Sequence, residues 1–285
     1  MTATDTPTLP AVPAAYVKPD APSLGARLKS WAYLAGPPLI VLAIIIAVWY
    51  AVHAALDDKS FLVPTPDQVI KDAFLDATTR QQIIDGLVQS TKVAVTGLAI
   101  ASAIGIAWAV AMSMAKWVQR STYPYAVVLQ TIPILAIVPL IGVWFGYEFR
   151  ARVVVCVMIS LFPMVANTLF GLQSVEKSQV ELFKLQKASP ATMLTKLMFP
   201  AALPSIFLGL RTSAGLAVVG AIVGDFFFQR GTPGLGALLQ TYARMLDYSQ
   251  LFGAIFVAAL LGVFMFGLFG LLAKLAVGRW YEPAT

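Results

Sequence analysis

A single cysteine, Cys156, and a single histidine, His53, are all that 285 residues offer to thiol or imidazole chemistry. One cysteine forms no internal disulfide framework and no zinc cage, and one histidine supplies no metal or acid–base cluster, so no metal site is expected. Cys156 lies inside an apolar run and reads as a small buried side chain. His53, near the end of another run, reads as interfacial. Charge is scarce too: 12% of residues are charged and 59% are hydrophobic, with a mean hydropathy of +0.78. Soluble domains carry about 25% charged residues. A chain this apolar is a membrane protein. It has no Gly-x-x-x-x-Gly-Lys-Ser/Thr loop and so does not hold a nucleotide in that way. Nor do its apolar runs contain paired carboxylates or a nucleophile with a base, which argues against an enzyme. The +6 formal charge sits beside the apolar runs instead of forming a basic stripe with stacking aromatics. That pattern suits lipid headgroups and not nucleic acid.

What the sequence does have is long apolar runs, at about 32–56, 90–115, 123–147, 152–171, 203–226 and 250–277. Each is long enough to cross a hydrocarbon core, which takes about 20 helical residues. The expected fold is an all-α integral membrane protein with six transmembrane helices. Residues 1–30, with five prolines before Gly25, read as a disordered tail and not as a signal peptide. Residues 57–89 are polar enough to lie outside the membrane. If the tail is inside, the inner segments hold eleven Lys and Arg and the outer ones seven. This bias puts both termini in the cytoplasm.

Small residues every four positions, Gly97, Ala101, Gly105 and Ala109, with Gly220 and Gly224, mark spans that approach closely and belong inside the bundle. The Phe-rich last run reads as an edge helix. Pro133, Pro139 and Pro163 remove main-chain donors and are expected to kink their spans around a central pathway. Few ionisable groups enter the spans. Arg211 either hydrogen-bonds the end of the central loop or snorkels to the inner surface, and Asp225 either lines the outer mouth or is an interfacial acid.

One long charged stretch, residues 172 to 204, divides the spans, with its loop portion ending at 202. It carries Glu176, Lys177, Glu181, Lys184, Lys187 and Lys196, each of which would cost about 2.5–3.5 kcal/mol at mid-membrane, so it lies in water. Val180, Phe183, Leu185 and Ala188, then Met193, Leu194, Leu197 and Met198, recur at helical spacing. Two short amphipathic helices are expected, with breaks at Pro190 and Pro200. Their apolar faces need cover from the membrane domain, lipid or a partner protein.

The spacing Glu181-Leu182-Phe183, three residues, Lys187, nine residues, Leu197-Met198-Phe199-Pro200 resembles a cytoplasmic loop found in permease subunits of bacterial ATP-driven (ABC) importers. There the pattern is Glu-Ala-Ala, three residues, Gly, nine residues, Ile-x-Leu-Pro. Lys187 replaces the usual glycine, so Pro190 is expected to set the bend instead. The run from Gln130 to Leu140, with Pro133 and Pro139, and then Trp144-Phe145-Gly146, is similar to the third span of the nitrate, sulfonate, taurine and thiamine-precursor branch. Phe61 to Pro66 resembles that branch's lead-in to an external helix, here Asp67 to Asp76. The likeness covers about residues 60–280.

The resemblance implies an importer permease of type I fold in the bacterial plasma membrane, working as a homodimer. It also implies cytoplasmic ATPase subunits, which hold ATP and magnesium, and an external solute-binding protein; the chain itself binds no cofactor. ATPase coupling then falls to Glu181, Leu182, Phe183, Lys187, Ala188, Ser189 and Pro190, with Pro200, Pro204 and Arg211 shaping the loop. The substrate pathway falls to Gln130, Pro133, Pro139, Trp144 and Asp225. A stand-alone channel or secondary transporter is the alternative, but no selectivity filter, inverted repeat or deep coupling acid is evident. Only Arg211 and Lys92 bring cations into the spans, which tilts the expected cargo towards a neutral heterocycle over an anion.

Overall fold

A computed structural model describes residues 24–278, with side chains from residue 36 onward. The expected tail up to residue 23 lies outside the described residues, and α1 (Leu24–Ala55) already begins within the stretch read as tail. The described residues are helical, without strands. Five helices are long and apolar enough to span a membrane, and a pair of helices meeting at a bend of 100° brings the number to six when the pair is counted as one broken span.

The centre is built from α3 (Ala77–Met114), α6 (Phe149–Gln173) and α9 (Phe199–Phe227). They approach closely because small residues meet where they cross. Gly97, Ala101, Gly105 and Ala109 are all buried along one stripe of α3. Cys156 of α6 is wedged between Gly97 and Gly220: a Cβ on Gly97 would lie 2.2 Å from its Sγ, and one on Gly220 2.7 Å from its Cα. Any larger residue at either position pushes the helices apart. Around Cys156 pack Ala94, Leu98, Ala217 and Ala221, with Leu261 and Met265 from α11 (Tyr248–Val277). Toward the other end of the bundle Met112, Leu161, Met164, Leu169 and Ile206 form a second core.

At 38 residues, α3 is about 57 Å long and overruns a hydrocarbon core of about 30 Å. Its first turns therefore extend into the segment read as external. Asp76 caps it, accepting from the Thr79 N–H at 2.8 Å. That N–H holds the Asp76 carboxyl below the usual carboxylate range. Before it, Thr65 and Pro66 open α2 (Pro66–Val69), which continues as a wider helical turn to Leu75.

The α1 span stands apart: between Gly36 and Ala55 its hydrophobic stretch has no buried residue. It is tied at one end, where Trp49 Nε1 donates to Pro64 O at 2.9 Å and Tyr50 OH to Asp67 Oδ1 at 3.0 Å. The interfacial His53 holds Val63 O through Nδ1 at 2.7 Å. Trp49 also stacks on Phe252 and Phe256 of α11.

Candidate functional site

The charged stretch folds differently from the expected pair of short helices. The first is present, as α7 (Lys177–Leu185). The second, α8 (Pro190–Met193), does not stop at Pro200 but runs through a π-turn at Leu194–Met198 straight into α9. The wider turn, in which the Phe199 N–H reaches Leu194 O, makes room for a proline ring that would clash in a regular α-helix. Pro190 is the first helical residue after the Ser189 cap, whose Oγ accepts from the Thr192 N–H at 3.1 Å.

The bend itself is made at Lys187 and not by Pro190. Lys187 has φ +51°, the left-handed conformation normally left to glycine. The Ala188 N–H bonds Phe183 O at 3.0 Å and the Lys187 N–H bonds Lys184 O at 2.9 Å, the paired bonds of a Schellman cap. Both Phe183 and Ala188 are half-buried, as the apolar contact of that cap requires. Lys187→Gly relieves about 1–2 kcal/mol of left-handed strain against about 0.5–1 kcal/mol of added backbone entropy. A small rise in thermal stability with unchanged partner binding is expected, measured by detergent melting and pull-down. A loss of binding would show that the charge matters and not the bend.

No residue of α7 is buried, and Leu182 and Leu185 are 53% and 82% exposed. Glu181, Leu182, Phe183, Lys187, Ala188, Ser189 and Pro190 thus form one continuous feature: a short helix, a tight cap and the start of the next helix. Leu185 belongs with them; its place one turn from Leu182 was the available signal.

Arg211 departs from the expected hydrogen bond to the end of the loop. It lies 12 residues into α9, and its guanidinium stacks 4.0 Å above the Phe266 ring of α11, with no hydrogen bond to the loop among the described residues. Pro204 sits inside α9 without breaking it.

At the opposite end of the bundle the structure corrects the reading of Asp225. It does not line a mouth; it is fully buried, with Arg152 Nη1 3.1 Å from its Oδ1. In the sequence Arg152 is only one of the seven Lys and Arg counted in the outer segments. In the fold it is 1% exposed, and its fork donates to three main-chain carbonyls: Nε to Phe228 O at 2.9 Å, Nη2 to Arg230 O at 2.8 Å and Nη1 to Thr232 O at 2.9 Å. Ser90 of α3 donates to Asp225 Oδ2, and its Oγ accepts from the Leu235 N–H at 2.8 Å. A Cβ on Gly234 would lie 1.8 Å from Asp225 Oδ2, so only glycine lets the loop come this near. Three central helices and the loop leading to α10 (Leu235–Met245) are locked together here. Tyr242 OH adds a bond to Gln82 Oε1 at 3.0 Å.

The third span is broken outright where a kink was expected. α4 (Lys116–Thr131) ends at Ile132, and α5 (Ile134–Phe145) starts after Pro133. Pro133 has no N–H to give Leu129 O, and Thr131 Oγ1 and the Ile132 N–H both turn back to Val128 O, at 2.9 and 3.1 Å. Pro139, expected to be a second kink, is carried inside α5 without a break, and Pro163 likewise inside α6. Gln130 and Pro133 lie at the break, and Pro139 and Trp144 along the exposed face of α5. Asp225 is therefore separate from the other proposed pathway residues.

The family described as binding-protein-dependent transport system inner membrane component matches residues 101–280. Formylaminopyrimidine transport permease protein ThiX of Halalkalibacterium halodurans is 30% identical over 82% of this chain and 92% of its own length. The riboflavin transport system permease protein RibX of Chloroflexus aurantiacus is 28% identical over 94% and 97%. The nitrate import permease protein NrtB of Synechocystis sp. is 25% identical over 84% and 88%. The matched region runs from mid-α3 through the broken span, α7 and the Asp225 cluster to the end of α11, and with it the chain belongs to the binding-protein-dependent transport system inner membrane component family, the membrane permeases of ABC importers.

Proposed function

We propose that two copies of this chain form the membrane pathway of an ATP-driven importer of a small nutrient. Two cytoplasmic ATPase subunits grip α7, and they hold the ATP and magnesium; this chain binds neither. An external solute-binding protein delivers cargo at the α10 end. The cargo is a thiamine-precursor pyrimidine or similar heterocycle, or a sulfonate, nitrate or taurine-type anion; formylaminopyrimidine and nitrate are named by the relatives above, and permeases named for aliphatic sulfonates and taurine are also similar to this chain. The membrane is the bacterial plasma membrane, with both termini in the cytoplasm, as the Lys and Arg bias suggests.

The observation that carries this reading is α7. It presents Leu182 and Leu185 to water on a short helix that also carries Lys177, Glu181 and Lys184. Covering each stabilises a complex by about 1.5–3 kcal/mol. Because the Schellman cap joins α7 to the helix that becomes α9, a push on α7 reaches the bundle core through a stiff element. Vacating the membrane potential should leave uptake unchanged in cells producing the whole transporter, and depleting ATP should stop it; the reverse result indicates a secondary transporter. For orientation, in a Cys156→Ala background, Ser174→Cys is expected to react with an impermeant thiol reagent only from inside and Asp58→Cys only from outside. Swapped labelling overturns the topology and the ATPase contact together.

A further inference from the structure

Beside the broken span lies a half-open hollow of about 430 Å³ between α4, α5, α6 and α9, walled by Leu129, Gln130, Ile134, Ile159, Phe162 and Leu216 among others. Its size is within the range of small-molecule sites, about 300–1,000 Å³. No lining residue is charged. Two prolines on different helices bear on the same space. Pro133 cannot donate to Leu129 O, and Pro163 cannot donate to Ile159 O, and both of those residues are in the wall. Across the break, Leu129, Gln130 and Thr131 carbonyls receive no main-chain N–H from α5 among the described residues. The Gln130 side-chain amide, exposed at the break, makes no hydrogen bond to the described residues either. At membrane depth, main chain without its helical partners persists where it faces a cavity, because elsewhere its desolvation goes uncompensated.

This set of groups is selective. Carbonyl oxygens only accept, and the Gln130 amide both donates and accepts. A ring bearing N–H or amino groups beside ring nitrogens satisfies both, while Phe162 and Met158 cover apolar faces. Nitrate, or the sulfonate end of taurine, has acceptors alone. It would enter a space without a cation and meet carbonyl dipoles of its own sign. Resting on the importer reading above, we propose that this hollow is where the permease contacts its cargo, that Gln130 sets its specificity, and that the cargo is an uncharged amino-substituted heterocycle.

The test uses cells producing the complete transporter, with radiolabelled formylaminopyrimidine, taurine and nitrate as separate probes. Pyrimidine uptake is expected with the other two at background. Gln130→Leu should lower pyrimidine uptake about tenfold, the loss of one good hydrogen bond, with most of the change in KM and none in ATPase pull-down yield. Gln130→Asn should recover part of it. Because Gln130 is on the surface of the break, neither variant is expected to disturb folding; Leu216→Trp, which fills the hollow from α9, should block uptake with the complex intact. Wild-type pyrimidine uptake in Gln130→Leu overturns the assignment of Gln130. Uptake of taurine or nitrate in place of the pyrimidine overturns the heterocycle assignment while leaving the importer reading standing. Uptake of none of the three overturns the heterocycle assignment, and the importer reading then stands or falls on ATPase pull-down alone.

Discussion

Replacing Arg152 by alanine is expected to destabilise the folded permease by about 3–5 kcal/mol, the usual cost of leaving one half of a buried ion pair without the other. The variant should melt well below wild type in detergent and accumulate poorly in membranes. The loss has two parts. Asp225 keeps its Ser90 bond but loses its cation, and the carbonyls of Phe228, Arg230 and Thr232 lose their donors together. Arg152→Lys should rescue only partly, since an ammonium cannot span three carbonyls and a carboxylate in the way a planar fork does. Asp225→Ala should cost less than Arg152→Ala, because the guanidinium retains its three carbonyls. The double variant Arg152→Met with Asp225→Ala should cost less than the sum, since removing both charges leaves none unpaired. Melting of Arg152→Ala at the wild-type temperature would contradict this account of the cluster.

The second large effect is expected at the other end. Leu185→Asp should abolish ATPase co-purification and uptake while leaving the permease's own melting unchanged. Leu185 is 82% exposed, so little of it is covered by the described residues. If a partner buries it, an aspartate forfeits about 1.5–3 kcal/mol of apolar burial and adds an unpaired charge to the contact. Together these weaken binding by at least about a hundredfold. Phe183→Asp should abolish capture too, but it also removes the apolar contact of the Schellman cap, so some loss of stability is expected with it. Comparing the two separates docking from the shape of the turn. Wild-type ATPase yield with Leu185→Asp would remove α7 from the interface.

The spans and the polar interruption between them were legible because length and charge decide what hydrocarbon accepts, and no tertiary detail competes with that. The stripe of small residues in α3 was legible for a related reason: close helix contact leaves room for little else. Lys187 was misread because nothing in its side chain announces a left-handed backbone; only the hydrogen bonds that Phe183 O and Lys184 O, both in the preceding turn, accept from Ala188 and Lys187 do. Pro133 was recognised as a disruption, but the direction α5 takes after it goes with the packing of Val138 and Ile141 against Ala151, Val155 and Phe228, which is a tertiary outcome. Arg152 and Asp225 were each visible and each had a bland explanation. Their separation by 73 positions hid the pairing, although an ionisable group at the edge of an apolar run is reason to look for its counterion.

The loose attachment of α1 has a consequence for how the chain is made. Its ties to Val63, Pro64 and Asp67 can form as soon as the next few residues leave the ribosome. Trp49, however, stacks on Phe252 and Phe256, about 200 residues later in synthesis. At about 5–20 residues per second, roughly 10–40 s pass before that half of its contact exists. Through that interval the helix waits in lipid, and the stretch from Ser30 to Leu56, which contains no Asp, Glu, Lys or Arg, lets it do so without exposing a charge to hydrocarbon. The contact between α1 and α11 therefore waits on the synthesis of α11, and translation order, not packing strength, sets when the bundle closes on that side.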